Sequence, residues 1–290
     1  MRANICLNLI ALCLCACAAA DVSQSGLNLA PAPSTTCSAT LTAELTEGPY
    51  YLDDILFRSN ITESQPGISV TLDVYLLDTN CDPVVDAFVS IWHANASGIY
   101  SGFTGAAASG GVVASQTDEL TFLRGMVLTD SAGLATFETI FPGRYTGRSP
   151  HIHAKVFVPY ANASTTNETA KYLDSHLVHT GQFFSTDAMN TYVQTVSPYS
   201  ASTQSTVLAL AKDSVYNTDT ASDAIRQVLS YKEVVSGDAS QGLIATIDAI
   251  VNTSATYTDT VTAETSSSCK AWLSVPVAVS MLILLSLAQH

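Results

Sequence analysis

The sequence predicts a mainly β fold: an antiparallel β-sandwich core with long loops and a few short helices. Short segments alternate apolar and polar positions, turn-forming residues separate them at regular spacing, and no 20–50-residue repeat is present. The clearest stretch, SVTLDVYLLDTNCDPVVDAFVSIWHA, alternates at Val70, Leu72, Val74 and Leu76. It breaks at Asn80 to Pro83 and resumes at Val85, Ala87, Val89 and Ile91, which reads as two antiparallel strands joined by a turn. FLRGMVLTD, closed by the turn DSAG, then LATFETI and HIHAKVFVPY, add further strands. Helical periodicity is weaker, with TQSTVLALAKDSVYN as the one candidate helix.

Composition excludes several function classes. Of 290 residues 47% are hydrophobic and only 12% charged, which is neither a disordered nor a nucleic-acid-binding balance. Lys and Arg number 11 against 25 Asp and Glu, a net charge of −14, so the dense positive charge needed to grip phosphate backbones is missing.

Both ends read as processing signals. Residues 1–20 carry one early arginine, an apolar run from Ile5 to about Cys17 and small residues before Asp21, the pattern of a secretory signal peptide. Residues 21–36 form a flexible leader and 37–254 the β-sandwich domain, followed by a Ser/Thr-rich stalk over 255–268. The tail, 269–290, is mostly apolar and has no Lys or Arg after Lys270. It fits a signal exchanged for a GPI anchor, with a transmembrane tail as the alternative. The expected location is therefore outside the cell at its surface, with membrane contact only through that anchor.

Four of the seven cysteines leave with the signal peptide and Cys269 borders the tail. Cys37 and Cys81 remain in an oxidising compartment, where a disulfide is the natural inference and two buried thiols the alternative. Sequons at Asn60, Asn162, Asn167 and Asn252 are glycosylation candidates; that at Asn95 is set aside because it adjoins the Tyr100 loop.

The chemistry gathers in PGRYTGRSPHIHAKVF, residues 142–157. On a strand, His151 and His153 point the same way while Ile152 faces the other layer, which suits two ligands on one metal. An H-x-H alone is equally an exposed strand with two unrelated histidines. Tyr145 lies behind the bend at Pro142-Gly143, and Tyr100 follows a strand in a Gly-containing loop. Phenolates are hard anionic donors, and with imidazoles they suit a hard cation, ferric iron first. No Asp or Glu in this segment would complete a two-His, one-carboxylate Fe(II) site.

The ordered set GPYY (48–51), IWHANASGIYS (91–101), FLRGMVLTDSAGLATFETIFPGRYTGR (122–148), HIH (151–153) and HTGQFF (179–184) resembles the intradiol ring-cleavage dioxygenases, and among them the secreted fungal-type members. The resemblance runs from about Cys37 to Asn252. It implies a β-sandwich with one non-haem Fe(III) between its sheets, held by Tyr100, Tyr145, His151 and His153. It also implies that Arg148 and Gln182 line the pocket, Arg148 as a permanent cation for the anionic ring and Gln182 orienting the substrate. The expected reaction joins a catechol-type diol and O2, cleaving between the two hydroxylated carbons to a muconate-type diacid, with Tyr145 carrying off a proton. Arg144 stands where the secreted relatives would carry a histidine. Trp92 is expected to pack in the core, Arg124 and Asp130 to fix strand ends, and His176 and His179 to be structural or exposed. The rival readings are a copper–zinc site on a β-sandwich, which needs more histidines than this chain offers, and a non-catalytic surface-binding module that has kept the fold.

Overall fold

The computed structural model describes residues 40–257 except 106–114, 162–165, 205 and 219–227. The signal peptide, the leader, Cys37, Asn162, most of the stalk and the whole apolar tail lie outside the described residues. Among those described, no helix is long and apolar enough to cross a membrane.

Among the described residues, eight strands form two four-stranded sheets: β1 (Ser69–Leu77), β2 (Phe88–Trp92), β3 (Arg124–Leu128), β4 (Leu134–Ile140), β5 (His151–Pro159), β6 (Ser175–Phe184), β7 (Ser230–Val235) and β8 (Asp238–Ile250). The first sheet has the order β4-β1-β8-β7 and the second β3-β2-β5-β6. Their facing sides share one core. Val70, Leu72, Val74, Leu76, Phe137 and Ile247 come from the first sheet, Val89, Ile91, Ile152, Ala154 and Val156 from the second. Every second residue is apolar because only one side of each strand faces that layer.

Two expectations about pairing are corrected. The segments on either side of Asn80–Pro83 are not neighbours in one sheet: β1 pairs with β4 and β8, and β2 with β3 and β5. The turn itself is real, since Asp78 Oδ1 accepts from the backbone N–H of Asn80 and of Asp82 at 2.7 and 3.0 Å. The chain then passes through Asp86 at φ 60° and crosses to the opposite sheet. Alternation fixes which side of a strand is buried, and a hairpin and a crossover bury the same sides. The core is also not wholly antiparallel, because β1 and β8 run parallel from Val70↔Leu243 to Leu77↔Ile250.

The helix expected over 203–217 is replaced by short 3-10 turns at Leu210–Lys212 and Tyr216–Thr218. Asp213 is the reason: its backbone is extended at φ −75°, ψ 116°, and its carboxylate accepts from the N–H groups of Val215 and Tyr216. A side chain that captures nearby backbone donors competes with the helical ladder. The two α-helices among the described residues lie elsewhere, α1 (Glu168–Leu173) and α2 (Asp187–Val193), each opened by a side-chain cap, Asn167 on Ala170 and Thr186 on Met189.

One polar bridge ties the layers together. His93 Nδ1–H donates to Ala94 O at 2.9 Å, so its Nε2 accepts from the Thr139 hydroxyl on β4 at 2.7 Å. Burial pushes this imidazole down to about 4.

Two outcomes follow from the packing. Leu72→Ala, at a position with no exposed surface, is expected to cost about 3 kcal/mol in chemical denaturation. Because His93 is neutral when folded and takes a proton near 6.5 when unfolded, it favours unfolding as pH falls from about 6.5 towards 4. The penalty reaches roughly 3 kcal/mol. Melting curves of the metal-free protein should flatten over that pH window in His93→Gln.

Candidate metal centre

Two loops that meet through glycines bring the tyrosines together. The first follows β2: Asn95 N–H donates to Ile99 O, and Asn95 Oδ1 accepts from the N–H groups of Ser97 and Ile99, closing a tight turn before Tyr100. The second is the turn at Pro142-Gly143 before Tyr145. A Cβ on Gly143 would lie 2.1 Å from Asn95 O, and one on Gly98 2.1 Å from Arg144 O. Gly98 also holds φ +81°. The loops therefore approach backbone to backbone, and each glycine is required by the other loop's carbonyl.

His151 Nε2 is the centre of the cluster. It lies 3.4 Å from Tyr100 Oη, 3.2 Å from Tyr145 Oη, 3.1 Å from His153 Nε2 and 3.4 Å from Arg148 Nη1. Its Nδ1–H donates to Ser149 O at 2.6 Å, which leaves Nε2 as a bare lone pair aimed into the group. Nδ1 of buried His153 has no hydrogen-bond partner. Burial, then the Arg148 charge, holds both imidazoles well below 6.5, so both are neutral. Burial likewise pushes Tyr145 up to about 12 and Tyr100 well above the usual phenol range. Ionising either phenol here therefore calls for a cation at the oxygens. Neutral imidazoles with converging lone pairs, beside phenols that need a cation to ionise, fit a hard trivalent ion. No group of three or more His, Cys, Asp or Glu side chains gathers among the described residues, so only the phenols complete a four-donor set.

The cluster is not between the sheets. Ile152, Ala154 and Val156 of β5 face the shared core, so His151 and His153 project from the opposite, outer side of the second sheet. There a second layer of side chains covers them: Tyr50, Trp92, Ala94, Tyr100, Phe103 and Tyr145 pack together. Trp92 stacks on His153 with ring centres 4.8 Å apart and planes at 9°, and Tyr50 stacks on Tyr100 at 4.4 Å. Trp92 is thus buried as expected, but against a candidate ligand rather than in the central core.

A strap over residues 42–51 closes this outer face. Leu45 N–H donates to Thr180 O, Glu44 reaches His179 Nδ1, and Lys155 pairs with Glu47 while its ammonium lies 3.7 Å from the Tyr51 ring centre. Gly48 crosses His153 so closely that a Cβ would sit 3.1 Å from the imidazole Cε1. Arg124 does more than end a strand: its Nε and Nη2 donate to Ser101 Oγ and Ser101 O, anchoring the residue after Tyr100.

Arg148 and Gln182, both expected to line a substrate pocket, meet at the edge of the cluster. Arg148 Nη2 donates to Gln182 Oε1, and Gln182 Nε2 donates to Thr46 O of the strap at 2.8 Å. Arg144 donates to the carbonyls of Tyr199 and Ser202. His93, His176 and His179 are each bonded elsewhere, to Thr139, Thr253 and Glu44, so no copper–zinc set of histidines assembles among the described residues. Asn60, Asn167 and Asn252 are exposed, whereas Asn95 donates to Gln65. Cys81 takes a left-handed backbone conformation, φ 71°. Sequence reasoning missed the strap contacts of Lys155 and the buried carboxylate of Asp213, which accepts from Arg148 Nε. Nothing in the local pattern of either residue marks it.

A family model described as Dioxygenase matches residues 46–167, a span that includes both tyrosines, Arg148 and both histidines. Among solved structures, an intradiol ring-cleavage dioxygenase from Tetranychus urticae is 30% identical. The alignment covers 75% of this chain and 97% of that one, with a TM-score of 0.62. The chain belongs to the intradiol ring-cleavage dioxygenase family. A second solved dioxygenase is 29% identical over 76% of this chain and 98% of its own, with a TM-score of 0.63. No curated protein sequence matches significantly. Intradiol dioxygenases cleave catechol-type rings and use non-haem iron.

The interlocked glycines give the site a direct test. Gly143→Ala forces backbone against backbone, so it is expected to cost about 1–3 kcal/mol in stability. Chemical denaturation of the metal-free protein measures that loss.

Proposed function

We propose that this chain is a secreted, surface-held Fe(III) dioxygenase that cleaves a catechol-type ring between its two hydroxylated carbons, yielding a muconate-type diacid. The observation that supports it most is the convergence of Tyr100, Tyr145, His151 and His153 around one point, with Arg148 at its edge. These four would hold the ion. Bound ferric iron would supply Lewis acidity towards both catechol oxygens and withdraw electron density from the ring as it meets O2. Both atoms of O2 enter the diacid, and the ring supplies all the electrons, so no external reductant is required.

The chain's own residues do the rest. Tyr145 sits on a turn between two fixed points, Gly143 and Ser149, and its oxygen, ionised only with a cation bound beside it, would be the group to take a proton from the incoming diol. Arg148 presents Nη1 to the cluster while its Nε and Nη2 are occupied, so one edge of the fork faces the developing negative charge. Gln182 holds Arg148 on one side and the strap on the other. The strap and the aromatic layer keep bulk water from the cluster, where charge interactions are stronger than in water. The amino-terminal segment MRANICLNLIALCLCACAAA supports export, and the apolar tail supports retention at the surface through a GPI anchor.

Ferric-loaded protein should be burgundy red from tyrosinate-to-iron charge transfer, and the colour should shift on adding a catechol while oxygen is consumed. A folded, colourless preparation that takes up no iron would instead leave a binding module. Tyr145→Phe should retain much of its iron yet lose about 10²-fold or more in kcat. Steady-state oxygen uptake over a panel of substituted catechols measures this, and an undiminished rate rules out the role given to Tyr145.

A further inference from the structure

Asp213 lies sixty-five positions after Arg148 and is fully buried. Its two oxygens accept from Arg148 Nε at 3.1 and 2.9 Å, from Ser149 N–H at 2.7 Å, from Val215 N–H at 2.9 Å and from Tyr216 N–H at 3.2 Å. Four N–H groups converging on one carboxylate hold it in a single orientation. The carboxylate grips the inner edge of the guanidinium and leaves the outer edge to Gln182 Oε1 and His151 Nε2.

We infer that Asp213 is a positioning residue for the ring-cleavage reaction: it aims the Arg148 fork at the substrate and balances its charge. This rests on the dioxygenase reading given above. The pair is close to neutral as a unit, so Arg148 acts through directed N–H donors rather than as a free buried cation. A lone arginine at this depth would swing towards the nearest carbonyls. With Asp213 behind it, the side chain has one orientation before any substrate arrives, which is how a polar group acts without reorganising during the reaction. Asp213 also grips Ser149 N–H, while Ser149 O accepts from His151 Nδ1. A purely structural role through that peptide is the competing explanation, and the test must separate the two.

Asn in place of Asp213 has the same shape but keeps one acceptor oxygen and adds an NH2 that must face a donor. Metal-free protein labelled with 15N at arginine gives the first readout. Arg148 Nε–H should exchange slowly in the wild type and at least about tenfold faster in Asp213→Asn, as expected for a lost buried charge-assisted bond. Fast exchange in the wild type, or equal exchange in both, overturns the proposal, and the wild-type measurement requires no variant to fold. The second readout uses iron-loaded protein. Asp213→Asn should keep its iron and its visible charge-transfer band while kcat/KM falls by about 10²-fold, carried by kcat. Arg148→Gln should lose a comparable factor, and the double variant should be no worse than Arg148→Gln alone. Losses that add, or a displaced charge-transfer band, assign Asp213 to the scaffold and overturn the proposal. If iron-loaded wild type consumes no oxygen with any catechol, the dioxygenase reading falls separately, and the exchange comparison still decides the role of Asp213.

Discussion

The molecule depends on the two-residue period of β5. One side of the strand supplies Ile152, Ala154 and Val156 to the core shared by both sheets; the other supplies His151, His153 and Lys155 to the site and its cover. A slip of one residue in its pairing with β2 or β6 would bury imidazoles in the core and expose branched aliphatics to the cluster. The register is held on both sides, with His153 opposite Trp92 on β2 and opposite Gln182 on β6. The same pairing that stabilises the fold therefore sets a stacking ring and a pocket amide beside one candidate ligand.

Placing a polar cluster on the outer side of a sheet raises a second physical demand. Open to water, the histidines would be protonated more readily and the tyrosines left without a shaped environment. The chain meets this with a separate aromatic layer around Tyr50, Trp92 and Phe103, and with a strap fixed by the Glu44–His179 hydrogen bond and the Glu47–Lys155 ion pair. Arg124 and Asp213 act at the same level, each a buried charge satisfied by backbone groups that hold a loop in place. The neutral imidazoles and protonated phenols of the metal-free protein follow from that enclosure rather than from any single neighbour.

How much of this was legible in the sequence varies with the range of the interaction. Strand alternation exposed β1 to β5 and the shared orientation of His151 and His153, because those are short-range consequences of backbone geometry. It misassigned neighbours: Val70 and Val89 lie in opposite sheets, since alternation is the same for a hairpin and a crossover. The helix read into 203–217 failed at Asp213, whose side chain satisfies backbone donors locally and points its charge at a residue far back in the chain. The donor set came from the ordered motifs. Its position outside the sandwich core came only with the structure, because which side of a strand faces the second sheet depends on everything packed against it.

The strap also has a meaning in time. It is the earliest described part of the chain, yet it docks on β6 through Glu44 with His179 and Thr46 with Gln182, partners 135 and 136 positions later. Such distant contacts form late, because the loop they close is long and the sheet they rest on must exist first. Synthesis delivers the strap well before its docking surface on β6, so the nascent domain passes through a stage in which β5 is built and its histidine side is uncovered. Docking of the strap ends that interval, so the segment made first is the one that closes the outer face of the sheet.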